Sequence, residues 1–173
     1  SDENAKKINK AIDYVKSQSV DAKDIKTSGY NLQPKYEYDE KLDVLKLDWI
    51  FTDGFSFPCN YGYVPQTRGG DGDHLDVFVI SSQVLDIGTI VSCRAIGMIE
   101  LLDRGEQDDK IIAVPVVDKV FDSIQSLGDF KEDWRVIFED YFKELAIQKN
   151  KIVEIKGFHD KERVIEELKR ARE

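Results

Sequence analysis

The sequence predicts a single α+β domain, residues 1–173, with a β core in mid-chain and helical segments toward both ends. Three observations carry this. Runs rich in Val and Ile, separated by Gly or Asp turns, follow one another between residues 75 and 117. Helical apolar faces recur at residues 3–17 and beyond Asp129. The chain has 173 residues, 41% of them hydrophobic and 10% aromatic, enough for one real core, and no repeat, low-complexity tract or linker divides it.

In order along the chain, Ala5, Ile8, Ile12 and Val15 share one face of an amphipathic N-terminal helix, and residues 1–33 form a lead-in. The segment KYEYDEKLDVLKLDWIF predicts a hairpin turning near residues 39–42, because Leu45, Leu47 and Trp49 alternate with polar neighbours. Strands are expected at LDVFVI (75–80), TIVSCRAIGMIEL (89–101) and KIIAVPVV (110–117). From Asp129 the period becomes helical, with Trp134, Ile137, Phe138, Tyr141, Phe142 and Leu145 on one face. A strand KIVEIKGF and a last helix from His159 or Asp160 to Glu173 close the chain.

A net charge of −9 with 34% charged residues makes the chain acidic without favouring disorder, and argues against nucleic acid as a partner. No apolar run is long enough to cross a bilayer, so a membrane is not expected as a partner. Cys59 and Cys93 form no CxxC pair, which favours reduced thiols and a cytoplasmic setting. The first residue is Ser1 rather than Met, which leaves a cleaved export signal and a periplasmic location open as the other expectation.

Three acidic groupings stand out: Glu37 on the hairpin, Asp71/Asp73/Asp76 before a strand, and Asp103/Glu106/Asp108/Asp109 between two strands. Carboxylates that share one cleft repel each other and lose hydration, so they call for cations. An all-oxygen donor set with only two histidines selects a hard ion, Mg²⁺ first and Mn²⁺ as the other choice. An EF-hand loop starting at Asp71 fails on register, since Leu75, Asp76 and Ser82 stand at its fifth, sixth and twelfth positions. Lys35, Tyr61, Tyr63 and Lys110 are interleaved with the acidic groups, and this mixture suits a polyanionic substrate.

These residues resemble the family I inorganic pyrophosphatases. GGDGDHLDVFV is similar to that family's signature, and KYEYD, FPCNYGYVPQT, CRAIGMIELLD and EQDDKIIAVP follow its blocks in order. The resemblance implies a five-stranded OB-like β-barrel flanked by helices, here with an additional N-terminal helix, that hydrolyses pyrophosphate with Mg²⁺. It further implies that Asp71, Asp76, Asp103 and Asp108 hold metal ions, with Glu37 a further ligand, and that Asp73 orients or deprotonates the attacking water. Lys35, Tyr61, Lys110 and Lys143 would contact substrate phosphates, and a homo-oligomer, a hexamer by resemblance, would follow.

The chain departs from that pattern in its phosphate shell. Counted without gaps from Lys35, the family's phosphate-binding arginine falls on Trp49, and an indole offers one donor and no charge. Family tyrosines appear as Phe57 and Phe142. The leading expectation is a Mg²⁺-dependent inorganic diphosphatase of reduced activity. The alternatives are a phosphoanhydride hydrolase that accepts a larger organic diphosphate, and a catalytically weak metal- or phosphate-binding homologue.

Overall fold

The computed structural model describes residues 34–39, 44–51 and 54–172. The expected N-terminal helix lies outside them. The chain divides into two compact units, residues 1–55 and 56–173.

In the first unit, β1 (Pro34–Asp39) pairs antiparallel with β2 (Val44–Ile50), the hairpin that the alternation of Leu45, Leu47 and Trp49 predicts. Lys35 stands opposite Trp49 and Glu37 opposite Lys46, with an irregularity between Lys35 and Tyr36.

The second unit is built on a mixed sheet of β3 (Asn60–Tyr63), β4 (Asp76–Val79), β5 (Cys93–Asp103), β6 (Glu106–Gln107), β7 (Lys110–Pro115) and β8 (Val153–His159). The order is β3-β4-β7-β5-β6, with β8 on the other side of β5. β7 is central and buried along its whole length, which is why KIIAVP is a continuous apolar run rather than an alternating one. Its parallel pairing with β4 needs a crossover, which residues 80–109 supply through β5. β3 was not expected from the sequence: it has four residues, and its extended state comes from pairing with β4 and from the Asn60 side chain, which bonds Ser81, the Gln83 carbonyl and the Leu85 N–H.

β5 runs from Cys93, four residues later than expected, because residues 89–90 are exposed and follow Gly88 at φ +85°. Within β5, Gly97 is required by close approach: a Cβ there would stand 2.9 Å from the His159 carbonyl oxygen of β8.

Helix α1 (Trp134–Gln148) starts at the Asp133 cap, whose carboxylate accepts from the Arg135 N–H at 3.1 Å, and not at Asp129. It buries Phe138, Tyr141, Phe142 and Leu145, the i, i+3, i+4, i+7 face that the sequence shows. Helix α2 (Lys161–Ala171) adds Val164 and Ala171 to a core of Leu75, Val77, Met98 and Ile111. Among the described residues, no helix is long and apolar enough to cross a membrane.

Candidate active site

Strand arithmetic assembles the centre of the site. β4 and β7 pair with Asp76 opposite Lys110, so both side chains leave the same face of the sheet. Asp108 lies two residues before Lys110 and shares that face. The Lys110 ammonium accordingly donates to both carboxylates, reaching Asp76 Oδ2 and Asp108 Oδ1 at 2.5 Å each. Lys110 is 5% exposed, while the Asp76 and Asp108 side chains keep partial access to solvent.

Burial by itself would favour neutral groups here. It raises the Asp108 carboxyl above its ordinary range; Lys110 pulls it back, and the Asp76 and Asp71 charges push it up again. Burial also acts to lower the Lys110 ammonium, but the two carboxylates outweigh it and hold the group above its ordinary value. The three carboxylates therefore need more positive charge than one lysine gives. Their all-oxygen donor set fits a hard divalent ion, and the Lys110 ammonium already bridges two of them as a cation would. Among the described residues no three His, Cys, Asp or Glu side chains converge as a finished metal cage.

Tyr61 completes this face from β3. It stands opposite Phe78, so Asp76 is its diagonal neighbour, and its hydroxyl bonds the Asp76 side chain. Burial first, and then the Asp76 and Asp108 charges, keep this phenol well above its ordinary pKa, so it acts as a donor and not as a base. Phe57 stacks on its ring at 4.7 Å and Phe78 meets it edge-on at 4.9 Å. Phe57 thus serves as packing behind the tyrosine. Phe142 is 3% exposed and faces Phe78 and Tyr141. Tyr141, read in the sequence only as part of an apolar helix face, lies beside Phe57 and interacts electrostatically with Asp76. Cys59 is half-buried, and that burial pushes its thiol up to about 12, which makes it unreactive.

Asp71 and Asp73 sit in a braced turn. Asp71 Oδ1 accepts the Asp73 N–H at 3.0 Å, the Asp73 carbonyl accepts the Gly69 N–H at 2.7 Å, and Gly72 takes φ +90°. The Thr67 hydroxyl joins Val64 and Leu75 across the loop, and the Arg68 N–H bonds the Ala171 carbonyl at 2.7 Å. Asp71 lines the cleft that Asp76 and Asp108 enter; Asp73 is exposed on the same turn. Asp103 pairs with Lys151 at 2.5 Å and Arg104 at 3.6 Å, and its Oδ1 is a buried atom with no hydrogen-bond partner among the described residues. Lys143 is exposed on α1 and pairs with Asp140 at 3.1 Å. Lys35, Glu37 and Trp49 belong to the first unit, where the structure gives only their register in the β1–β2 hairpin.

A second polar group, which the sequence does not reveal, borders the same cleft. Gln107, Asp109, Glu167 and Arg170 line it together with Asp71, Asp76 and Asp108. Asp109 accepts from the Leu101 N–H at 3.1 Å and from Gln107 Nε2 at 2.8 Å. On α2, Glu167 is 2% exposed and is held by the Arg170 guanidinium through Nε at 3.0 Å and Nη2 at 2.5 Å. The i, i+3 spacing of Glu167 and Arg170 was the only available signal, and it marks any exposed helix face equally well.

Comparison with known proteins places the chain. The inorganic pyrophosphatase family model matches residues 29–173, and the SIMPL model, a family of unknown function, matches residues 1–56. The inorganic pyrophosphatase of Thermoplasma volcanium is 40% identical over 143 residues, 80% of this chain and 83% of that protein. That of Saccharolobus solfataricus is 40% identical over 142 residues, 79% of this chain and 81% of that protein. Among solved structures, the Coxiella burnetii inorganic pyrophosphatase superposes with a TM-score of 0.75 at 35% identity, covering 80% of this chain and 84% of that one. The OB-like fold expected from the resemblance is therefore the fold observed. With a family match that spans most of the sequence and agrees with the strand pairing that builds the site, the chain belongs to the family I inorganic pyrophosphatases.

Proposed function

We propose that the chain hydrolyses inorganic pyrophosphate to two phosphates, using water activated at divalent metal ions, Mg²⁺ foremost. The observation that carries the reading is the buried Lys110 ammonium between Asp76 and Asp108, a point where anionic oxygens and positive charge are concentrated on one rigid sheet face. Metal ions bound there would lower the pKa of a coordinated water toward ~7 and screen the substrate's charge. Asp71, Asp76 and Asp108 would be the first donors; ligand roles for Asp103 and Glu37 rest on the sequence resemblance alone.

The chain's own groups supply the rest. Attack by water on one phosphorus breaks its bond to the bridging oxygen, which departs with the electron pair as the second phosphate. Asp73, exposed on its braced turn, accepts the proton of the attacking water. Lys110 and the Tyr61 hydroxyl stabilise the charge that gathers on phosphate oxygens, and because both are fixed by packing they need no reorganisation to do so. Lys35 and Lys143 contact substrate, and Trp49 replaces an arginine fork at that shell; these roles rest on the sequence. No covalent intermediate is required.

The same proposal includes one functional domain, since the family match runs through residue 55, a cytoplasmic setting, and a homo-oligomer. Val84, Ile87 and Ile90 on one loop and Val116, Val117 and Val120 on another are exposed, and the Ser82–Asp118 bond ties the loops together. An apolar patch of that kind supports self-association. A panel of pyrophosphate, nucleoside triphosphates and nucleoside diphosphates under a Mg²⁺ titration tests the activity. Pyrophosphate is expected to be preferred; a preference for nucleotides would replace this reading with a larger-substrate hydrolase.

A further inference from the structure

Residues 106–112 would form one continuous strand against β5, because the pairs Asp103–Glu106, Leu102–Gln107, Ile99–Lys110 and Gly97–Ile112 keep a single register. The ladder is nevertheless interrupted at Asp108 and Asp109. At that interruption the Asp108 N–H still donates to the Leu101 carbonyl at 2.9 Å. The return bond, from the Leu101 N–H, goes to the Asp109 carboxylate at 3.1 Å. A side chain has taken the place of a main-chain acceptor. The second Asp109 oxygen is held by Gln107 Nε2 at 2.8 Å, and the residue is 8% exposed.

The consequence falls on its two neighbours. Asp108 and Lys110 alternate along the chain with Gln107 and Asp109, and Gln107 and Asp109 border the same cleft as Asp76 and Asp108. Fixing Asp109 at two points therefore fixes the peptide units that carry Asp108 and Lys110. Bordering the same cleft, Arg170 is gripped by the buried Glu167, and its positive charge also acts on Asp109.

We propose that Asp109 is a positioning residue: its carboxylate clamps the interrupted ladder so that Asp108 and Lys110 project together toward Asp76, and the charge of Arg170, held by Glu167 on α2, supports it. The inference rests on the proposed function for its kinetic readout, and on metal binding for an independent one. Partners that orient first-rank site groups in this way are typically worth about 10- to 100-fold in metal affinity or activity.

The test compares wild type with Asp109→Asn and Gln107→Leu in the full chain, measuring Mn²⁺ affinity by calorimetry without substrate, then kcat and KM for pyrophosphate, beside thermal unfolding. Mn²⁺ affinity is expected to fall by about tenfold or more, and kcat to fall more than KM rises, with Gln107→Leu showing the same pattern in weaker form. Asparagine keeps one carbonyl acceptor for the Leu101 N–H, so that variant is expected to fold; should it not, Gln107→Leu carries the same expectation. If Mn²⁺ affinity and the kcat/KM split stay within twofold of wild type in the folded variants while only the unfolding temperature drops, Asp109 is structural and the inference fails. Wild type that binds Mn²⁺ but does not turn over pyrophosphate would instead overturn the proposed function and leave the Mn²⁺ comparison to decide this one.

Discussion

Replacing Lys110 by methionine removes the charge between Asp76 and Asp108 and keeps most of the side-chain volume. In the wild type the ammonium is buried and donates to both carboxylates at 2.5 Å. Removing one partner from a buried ionic group leaves uncompensated charge and costs about 3–5 kcal/mol. Urea unfolding at neutral pH in EDTA is expected to show a loss of that size in Lys110→Met. Added Mg²⁺ should restore more stability to the variant than to the wild type, because a divalent ion supplies the missing positive charge. The pH dependence has a definite sign. The folded state holds the Lys110 proton more tightly than the unfolded chain does, so its contribution is complete below the ordinary value of 10.5 and fades as pH rises through the higher folded value. The stability gap between wild type and variant should therefore be flat near neutrality and close in strongly alkaline solution. A loss below about 1 kcal/mol in EDTA, the range of a surface ion pair, together with no response to Mg²⁺, would refute the view that Lys110 offsets a strained carboxylate pair.

Three further expectations follow from the same description. Trp49→Arg should raise kcat/KM for pyrophosphate by at least ~10-fold, since arginines on transferred phosphoryl groups are worth ~10³-fold or more; an unchanged value in steady-state kinetics would remove Trp49 as the limiting position. Asp73→Asn should lower kcat by about 10²- to 10⁴-fold with pyrophosphate KM little changed, as loss of a proton acceptor predicts. Gly97→Ala would push a methyl group to 2.9 Å from the His159 carbonyl oxygen, a backbone atom with little freedom, and should destabilise the β5–β8 junction by about 1–3 kcal/mol in denaturant unfolding.

The parts of the fold that announced themselves were those whose own pattern matches their environment. β4 and β7 are runs of Val, Ile and Phe because their strands are buried, and α1 shows its period because one face packs on the sheet. β3 was silent, since Asn60 and Gly62 disfavour a strand and offset Tyr61 and Tyr63 in a run of only four residues, which is held by β4 and by Asn60's long-range bonds. The start of α1 was ambiguous because two capping signals lie close together: Ser126 with Asp129 caps a short 3₁₀ turn, and Asp133 caps the helix itself. In the site, Asp76, Asp108, Lys110 and Tyr61 were legible as residue types near strand ends, and their convergence followed once the register was known. Asp109 was legible only as one more acidic residue in a turn. Its bonds to Leu101 and Gln107 are local, 8 and 2 residues away, but its interaction with Arg170 joins segments about 60 residues apart in sequence, which no local pattern encodes.

If the Asp76–Lys110–Asp108 face is a metal-dependent centre for pyrophosphate hydrolysis, phosphate release from pyrophosphate across a Mg²⁺ titration separates the wild type from Asp76→Asn. The wild type is expected to release two phosphates per pyrophosphate with saturable Mg²⁺ dependence, and the variant to be at least ~100-fold slower and to need more Mg²⁺. Release that is absent at every Mg²⁺ and Mn²⁺ concentration, or that is unchanged by Asp76→Asn, would contradict a metal-dependent centre on that face.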